Sequence, residues 1–367
     1  MTSIMNRGRA IRPLILFIAV LILISGCTRA RIIDDVKIIQ SIGYDLEDEQ
    51  IIGTGSYVIY EDSIDDSLPE YLFTAESSTA MGILSSFTSQ ATDIVDIMQL
   101  SSIVISEQFA ESGIQDLLIN FNSEPSIGTN SRLVISNQRA RSFLEKGMNY
   151  PPYYLSSILE QNMRFGKIPF SNLHTVTYQH YSKGQDIYMP IMEIINERVF
   201  QVKTVGVFKN DKLILRLNET ETLLLKILVD DFRGNSADYE FSTNDNKDIL
   251  IKIENVKRNT TVKDSNINPE VIFNIKIKVL LKEQVPNIAM EVVNNRITAE
   301  IETHLESELV SLLNKLKKEE VDPVGNGELF RATQRTWDHN EFYEQVYPNL
   351  TFRVNAEVNI VNTGVRK

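Results

Sequence analysis

Among 367 residues the side chain with the most definite chemistry is Cys27, the single cysteine. A thiolate is a strong nucleophile, and a lone cysteine has no partner in the chain for a disulfide. The histidines are His174, His180, His304 and His339. None stands in an H-E-x-x-H or comparable spacing, and no second cysteine could complete a zinc set, so no metal site is expected. His174 and His180, six residues apart, fall off a common helical face. His304 falls on the polar side of a long predicted helix and reads as solvated. Gly53-Thr54-Gly55 lacks the third glycine of a dinucleotide loop and sits inside a strand pattern. There is no P-loop and no G-x-S-x-G elbow. Acidic residues are too plentiful to single out a general acid–base pair. The acidic run at 61–70 (EDSIDDSLPE) matches no calcium-loop order and reads as a solvated loop. Asn218, Asn259 and Asn349 open N-x-T sequons. No catalytic residue and no cofactor is assigned, and a cell-envelope hydrolase finds neither nucleophile nor metal set.

What surrounds Cys27 is more specific. Arg7, Arg9 and Arg12 form a basic start without an acid, residues 14–24 (LILFIAVLILI) are uninterruptedly apolar, and Ser25-Gly26 are small. These are the parts of a secretory leader. The apolar run is shorter than the roughly 20 residues of a permanent membrane span. Ile24-Ser25-Gly26-Cys27 resembles the bacterial lipobox. That resemblance implies removal of residues 1–26 and a diacylglyceryl lipid on Cys27, with palmitate among its acyl chains. Two chains anchor stably where one is marginal.

The body behind the leader is acidic. Loss of the three arginines takes the formal charge from −12 to −15. Such a chain does not suit nucleic acid, whose phosphates reward clustered Lys and Arg, nor flat adsorption on anionic lipid. Apolar content of 43% and charged content of 23% are those of a globular protein long enough for more than one domain.

Periodicity predicts paired strands at 36–44 and 51–60, then helices and strands in alternation. Helices fall at 75–90, 109–121 and 137–146, with another after Pro151-Pro152, and strands at 100–106 and 133–136. A boundary is expected near residue 198. Beyond it come a hairpin across Asn210-Asp211, a helix from 219 with the capping box Asn218–Glu221, and strands at 249–253 and 273–281. A long helix over about 289–320 carries Ile297, Ile301, Leu305, Leu309, Leu312, Leu313 and Leu316 on one stripe. A half-buried strand at 352–360 closes the chain. The fold class is therefore α+β and multi-domain, with mixed β-sheets and helices packed on them, behind a lipoprotein signal peptide. Residues 1–26 are the removed leader, 27–198 an N-terminal α/β-type region of one or two subdomains, and 199–367 a C-terminal α+β domain.

The most distinctive stretch follows the long helix: Asp322-Pro323-Val324-Gly325-Asn326-Gly327-Glu328-Leu329-Phe330, then Trp337, Val346-Tyr347-Pro348-Asn349-Leu350, and finally Asn362-Thr363-Gly364. Read locally, Asp-Pro ends the helix, the glycines shape a loop, 328–347 is a helix bearing the sole tryptophan as a packing anchor, and Pro348-Asn349 turns into the last strand. Taken together with the lipobox and with Gly184-Gln185-Asp186 and Met189-Pro190, the pattern resembles the Ger(x)C family, the lipoprotein C subunits of spore germinant receptors. It departs at Thr28, where many members have Trp, and at Ile187, where Pro is common. The resemblance implies a non-enzymatic subunit with an α+β body in three subdomains on the outer face of the inner spore membrane. It also implies partnership with a multi-spanning B subunit and an A subunit that sense nutrients. Asp322, Pro323, Gly325, Gly327, Phe330, Trp337, Pro348 and Gly364 would be its structural or interaction signature. The alternative is a solute-binding lipoprotein of a membrane transporter, which needs two α/β lobes around a cleft.

Overall fold

The computed structural model describes residues 36–58, 70–242, 248–263, 268–282, 290–334 and 336–361. The expected leader with Ile24, Ser25, Gly26 and Cys27, the acidic run at 61–69, and Gly364 lie outside them.

Apolar strands that must be covered on both faces build the first sheet. β1 (Val36–Glu47), β5 (Ser102–Ser106), β6 (Arg132–Ser136) and β7 (Tyr188–Ile195) lie parallel at its centre. β5 is buried along its whole length, as a parallel strand with helices on both sides must be. Antiparallel strands complete the sheet: β2 (Gln50–Val58) and β3 (Glu70–Ser77) on one side, β8 (Val199–Lys209) and β9 (Lys212–Leu217) on the other, with β4 (Ile94–Asp96) against β1. The strand order is β3-β2-β1-β5-β6-β7-β8-β9. The sheet runs straight across residue 198, because β7 and β8 are a hairpin.

Alternation along the central strands divides two cores. Ile103, Ile105, Leu133 and Ile135 pack with α1 (Ala80–Gln90), α2 (Glu107–Ser112) and α3 (Gln115–Ser123). Val104 and Val134 face the other way, against α4 (Ala140–Gly147) and α5 (Tyr154–Phe165). Gly53 explains the close seat of α1. A Cβ there would stand 2.0 Å from Ile83 Cγ2, so the pair Gly53 and Gly55 serves helix–sheet approach and not phosphate binding.

Several expectations change. Residues up to Ser77 belong to β3, and Thr79, whose hydroxyl accepts from Gly82 N at 3.1 Å, delays the helix start to Ala80. The helix expected at 109–121 is two helices, broken at Gly113 with φ of 127°. α6 (Leu173–Ser182), β7 and β10 (Phe232–Ser242) add to the elements that the periodicity predicts; β10 is polar and bulged between Arg233 and Ala237, which hides its alternation.

α7 (Glu219–Val229) leads to the second sheet, and its capping box is present as expected: Glu221 N donates to Asn218 Oδ1 at 2.9 Å and Asn218 N to Glu221 Oε2 at 3.0 Å. The sheet order is β10, β11 (Asp248–Lys263), β12 (Glu270–Leu281) and β13 (Thr351–Ile360), with β13 parallel to β12. α8 (Met290–Lys318) buries the predicted Ile/Leu stripe on it. His304 is not free in solvent; it is half-buried, with Nε2 2.9 Å from the Tyr239 hydroxyl. Among the described residues, no helix is long and apolar enough to cross a membrane.

α8 also closes the sheet edge. Glu306 accepts from Ala356 N and Glu302 from Val358 N, each at 2.8 Å. Four helical residues rise about 6 Å and two strand residues about 6.6 Å, so carboxylates at i and i+4 meet alternate amides of a strand running alongside. An edge capped this way cannot template a further strand. The double variant Glu302→Ala/Glu306→Ala is expected to lose about 2 kcal/mol in urea unfolding and to self-associate in sedimentation at high concentration. The Gln pair, which keeps the acceptors, is expected to restore both; an equally monomeric Ala pair would refute edge protection.

Candidate functional site

The two sequence segments singled out at Gly184–Asp186 and Asp322–Phe330 meet in space. Asp322 follows the end of α8 and is fully buried. Its Oδ1 accepts from Gly325 N at 3.0 Å and Asn326 Nδ2 at 2.7 Å, while Oδ2 accepts from Gly327 N at 2.9 Å and the Tyr343 hydroxyl at 3.2 Å. The carboxylate thus folds the D-P-x-G-N-G loop onto itself and onto the start of α9 (Asn326–Thr333), where a negative charge suits the helix dipole. Gly325, with φ of 82°, makes the left-handed turn into that helix.

The second segment locks onto this loop through two backbone and two side-chain hydrogen bonds. Asp186 N donates to the Asp322 carbonyl at 3.0 Å, and Asp322 N donates to Asp186 Oδ2 at 2.7 Å. Gln185 Nε2 donates to the Pro323 carbonyl at 2.7 Å, and Glu328 N to the Gly184 carbonyl at 3.0 Å. The chains pass so closely that a Cβ on Gly184 would stand 2.8 Å from Glu328 N, and one on Gly327 2.9 Å from the Gly184 carbonyl oxygen. Residues 184–186 lead into the first sheet and 322–327 leave α8 of the second, so this junction joins the two sheets.

Aromatic side chains hold the junction from below. Phe330 is fully buried, 5.1 Å from the Phe342 ring, and Trp337 packs on Phe342 at 6.3 Å. The Tyr347 hydroxyl donates to the Val321 carbonyl at 2.6 Å. Trp337 is not on a helix: α9 stops at Thr333 and helical structure resumes at His339. Residues Phe342–Val346 then form a π-turn, which sets Phe342 and Tyr347, five apart, side by side. Pro348 lies in the 3-10 turn Tyr347–Asn349 that enters β13. The signature residues Asp322, Pro323, Gly325, Gly327 and Phe330 therefore form one cluster, with Trp337 at its rim. Sequence reading missed Asn326, Phe342, Tyr343 and Tyr347; a period of 3.6 does not reveal an i, i+5 pair.

The electrostatics are those of a desolvated junction. Burial, with the neighbouring Asp322 charge adding to it, pushes the Asp186 carboxyl up to about 6. Burial also raises Asp322, against the hydrogen bonds from Asn326 and Gly327, and raises the Tyr343 hydroxyl, which additionally faces both carboxylates. At its outer side Glu328 pairs with Arg331 and accepts from the Tyr178 hydroxyl at 3.3 Å, and His339 Nδ1 lies 2.6 Å from the Lys183 carbonyl oxygen. The carboxylates are spent on backbone amides and on Asn326 and Tyr343, so the chemistry of this cluster is that of a latch.

The sequence matches two family models that divide the chain between them. One, described as spore germination protein N-terminal domain, matches residues 29–194; the other, spore germination B3/GerAC like, C-terminal, matches residues 203–364. The chain belongs to the Ger(x)C family. A similar protein is the spore germination protein GerQC of Bacillus cereus, 28% identical over 361 residues, which cover 96% of this chain and 98% of that one. The crystal structure of the GerBC protein has the same fold, with a TM-score of 0.57 at 15% identity over 88% of this chain and 97% of that one. In this Ger(x)C chain both signature segments are thus the two halves of one buried junction.

Two outcomes test the latch. Asp322→Ala leaves the Gly325 and Gly327 amides, the Asn326 amide and the Tyr343 hydroxyl without their acceptor, and a loss of more than about 3 kcal/mol in urea unfolding is expected. The second concerns pH. An acid whose native pKa lies near 6 against an ordinary 3.8 binds more protons folded than unfolded between those values. Its favourable contribution is present at low pH and lost as pH rises through about 6. Asp186→Asn keeps an oxygen for the Asp322 amide and removes the titration, so the variant is expected to gain stability relative to the native chain between pH 4 and 7. Parallel stability profiles would contradict the desolvation of the Asp186 carboxyl.

Proposed function

We propose that this protein is the lipid-anchored, non-enzymatic C subunit of a spore nutrient germinant receptor. In this reading the leader is removed, Cys27 carries a diacylglyceryl lipid, and the body stands on the outer face of the inner spore membrane against the receptor's A and B membrane subunits. Its role is receptor assembly and germination response, with no cofactor beyond the covalent lipid. The observation that carries it is the pairing of a lipobox with the family signature, and that signature builds the junction at Asp322 on which the body's two sheets depend. The acidic body supports attachment by a tether and not by surface charge, since an anionic membrane repels it.

Cys27→Ala separates the tether from the body. Labelled palmitate is expected to enter the native chain and not the variant. The variant is expected to leave the spore membrane fraction and to lose the nutrient response while its soluble body still folds. A variant that germinates normally without lipid would show that docking alone suffices and would remove the anchor from the proposal.

A further inference from the structure

Away from the junction, a cavity of about 420 Å³ opens between β6, α5, α7 and the start of β10. Its size is that of a site for a small organic molecule. Phe170, Phe232 and Met163 give it apolar walls, and Arg132, Lys226, Glu160 and Asp230 bring charge into it.

Most of those charges are already satisfied. The buried Lys226 ammonium donates to the Ile168 carbonyl at 2.7 Å and to the Met163 carbonyl, and stands 3.8 Å from Asp230. Asp230 in turn accepts from Phe170 N at 2.9 Å. Glu160 pairs with Arg164 one turn away at 3.8 Å, on the exposed rim. Asp231 accepts from Arg258 N at 3.1 Å.

Arg132 is different. It shares a face of β6 with Val134, so its side chain enters the side of the sheet covered by α5 and α7, and it is half-buried there. Its guanidinium lies 5.0 Å from the centre of the Phe170 ring and gives one long hydrogen bond, 3.4 Å, to the Ser171 carbonyl. Among the described residues no carboxylate pairs with it. A guanidinium carries five N–H donors in a fork that fits a carboxylate, and stacking on an aromatic face holds that fork in place. Burial pulls the Arg132 pKa down, with the Glu160 charge opposing that shift and the Arg164 charge adding to it: the cation is short of water, and Glu160 acts on it only from beyond ion-pair distance.

We infer that this cavity is a binding site for a small organic carboxylate, whose charged end pairs with Arg132 and whose apolar body lies between Phe170 and Phe232. The site stands on its own geometry and does not depend on the receptor reading; it is tested without spores or membrane partners, so either can fail alone.

Benzoate is the probe and benzyl alcohol its neutral counterpart of similar shape. With the full chain carrying ¹³C-methyl methionine, benzoate is expected to shift the Met163 methyl signal saturably, and benzyl alcohol to do so at least tenfold more weakly. The Met163 signal is identified by Met163→Leu. Arg132→Gln, checked for folding by circular dichroism, is expected to weaken benzoate at least about tenfold, and Arg132→Lys, which keeps the charge without the fork, to fall between. Should Arg132→Gln not fold, Phe170→Leu tests the stacked wall and is expected to weaken benzoate severalfold. Equal shifts by the two probes, no saturation, or undiminished binding by folded Arg132→Gln would overturn the assignment. Displacement of benzoate by a peptide with a free C-terminal carboxylate at far lower concentration would place the carboxylate on a partner chain and overturn the small-molecule reading.

Discussion

One buried carboxylate holds this molecule's two sheets in register. Asp322 accepts four hydrogen bonds within its own loop, and its backbone exchanges two more with Asp186. A desolvated charge is tolerated only when surrounded by donors, and here two are backbone amides of the turn, Gly325 N and Gly327 N, and two are side chains, Asn326 Nδ2 and the Tyr343 hydroxyl. The glycines follow from that constraint. Gly325 supplies the left-handed turn, while Gly184 and Gly327 let two backbones pass where any side chain would collide. The aromatic group around Phe342 then excludes water from the same place. Charge, turn and aromatic cover are one device.

The same economy governs the rest of the fold. Asp45, at the end of β1, accepts from Ala140 N at 2.7 Å and Arg141 N at 2.9 Å, and so fastens α4 to the central strands. Glu302 and Glu306 fasten α8 to β13. In each case a carboxylate meets backbone amides that secondary structure leaves open. An acidic chain thereby spends part of its negative charge internally, on backbone groups that need acceptors.

How far the residues could be read in advance varies with the range of the interaction. The α8 stripe from Ile297 to Leu316, the alternation from Phe352 to Ile360 and the Asn218–Glu221 capping box were all legible, because each is a repeat or a contact within a few residues. The split at Gly113 was not, because Ile114 N leaves the helical pattern to donate to the Asp211 carbonyl across the fold, at 2.9 Å. β10 was hidden by its bulge and polar outer face, and Trp337 was assigned to a helix that ends before it. His304 reads as solvated from the α8 pattern because its partner, Tyr239, lies far along the chain on β10. Arg132 drew no notice at all, since an isolated arginine in a strand has no pattern.

By itself the sequence determined the α+β class and the family signature and set the expectation of a leader and lipobox around Cys27, all of which depend on short spacings and on side-chain type. Tertiary structure alone decided that Gly184–Asp186 and Asp322–Gly327 are a single junction, and that Arg132 stands in a cavity between two phenylalanines. The reason is physical. Local spacing encodes what a segment can form, whereas desolvation and counter-charge depend on groups more than a hundred residues apart, as Asp186 and Asp322 are, and these meet only when the sheets close.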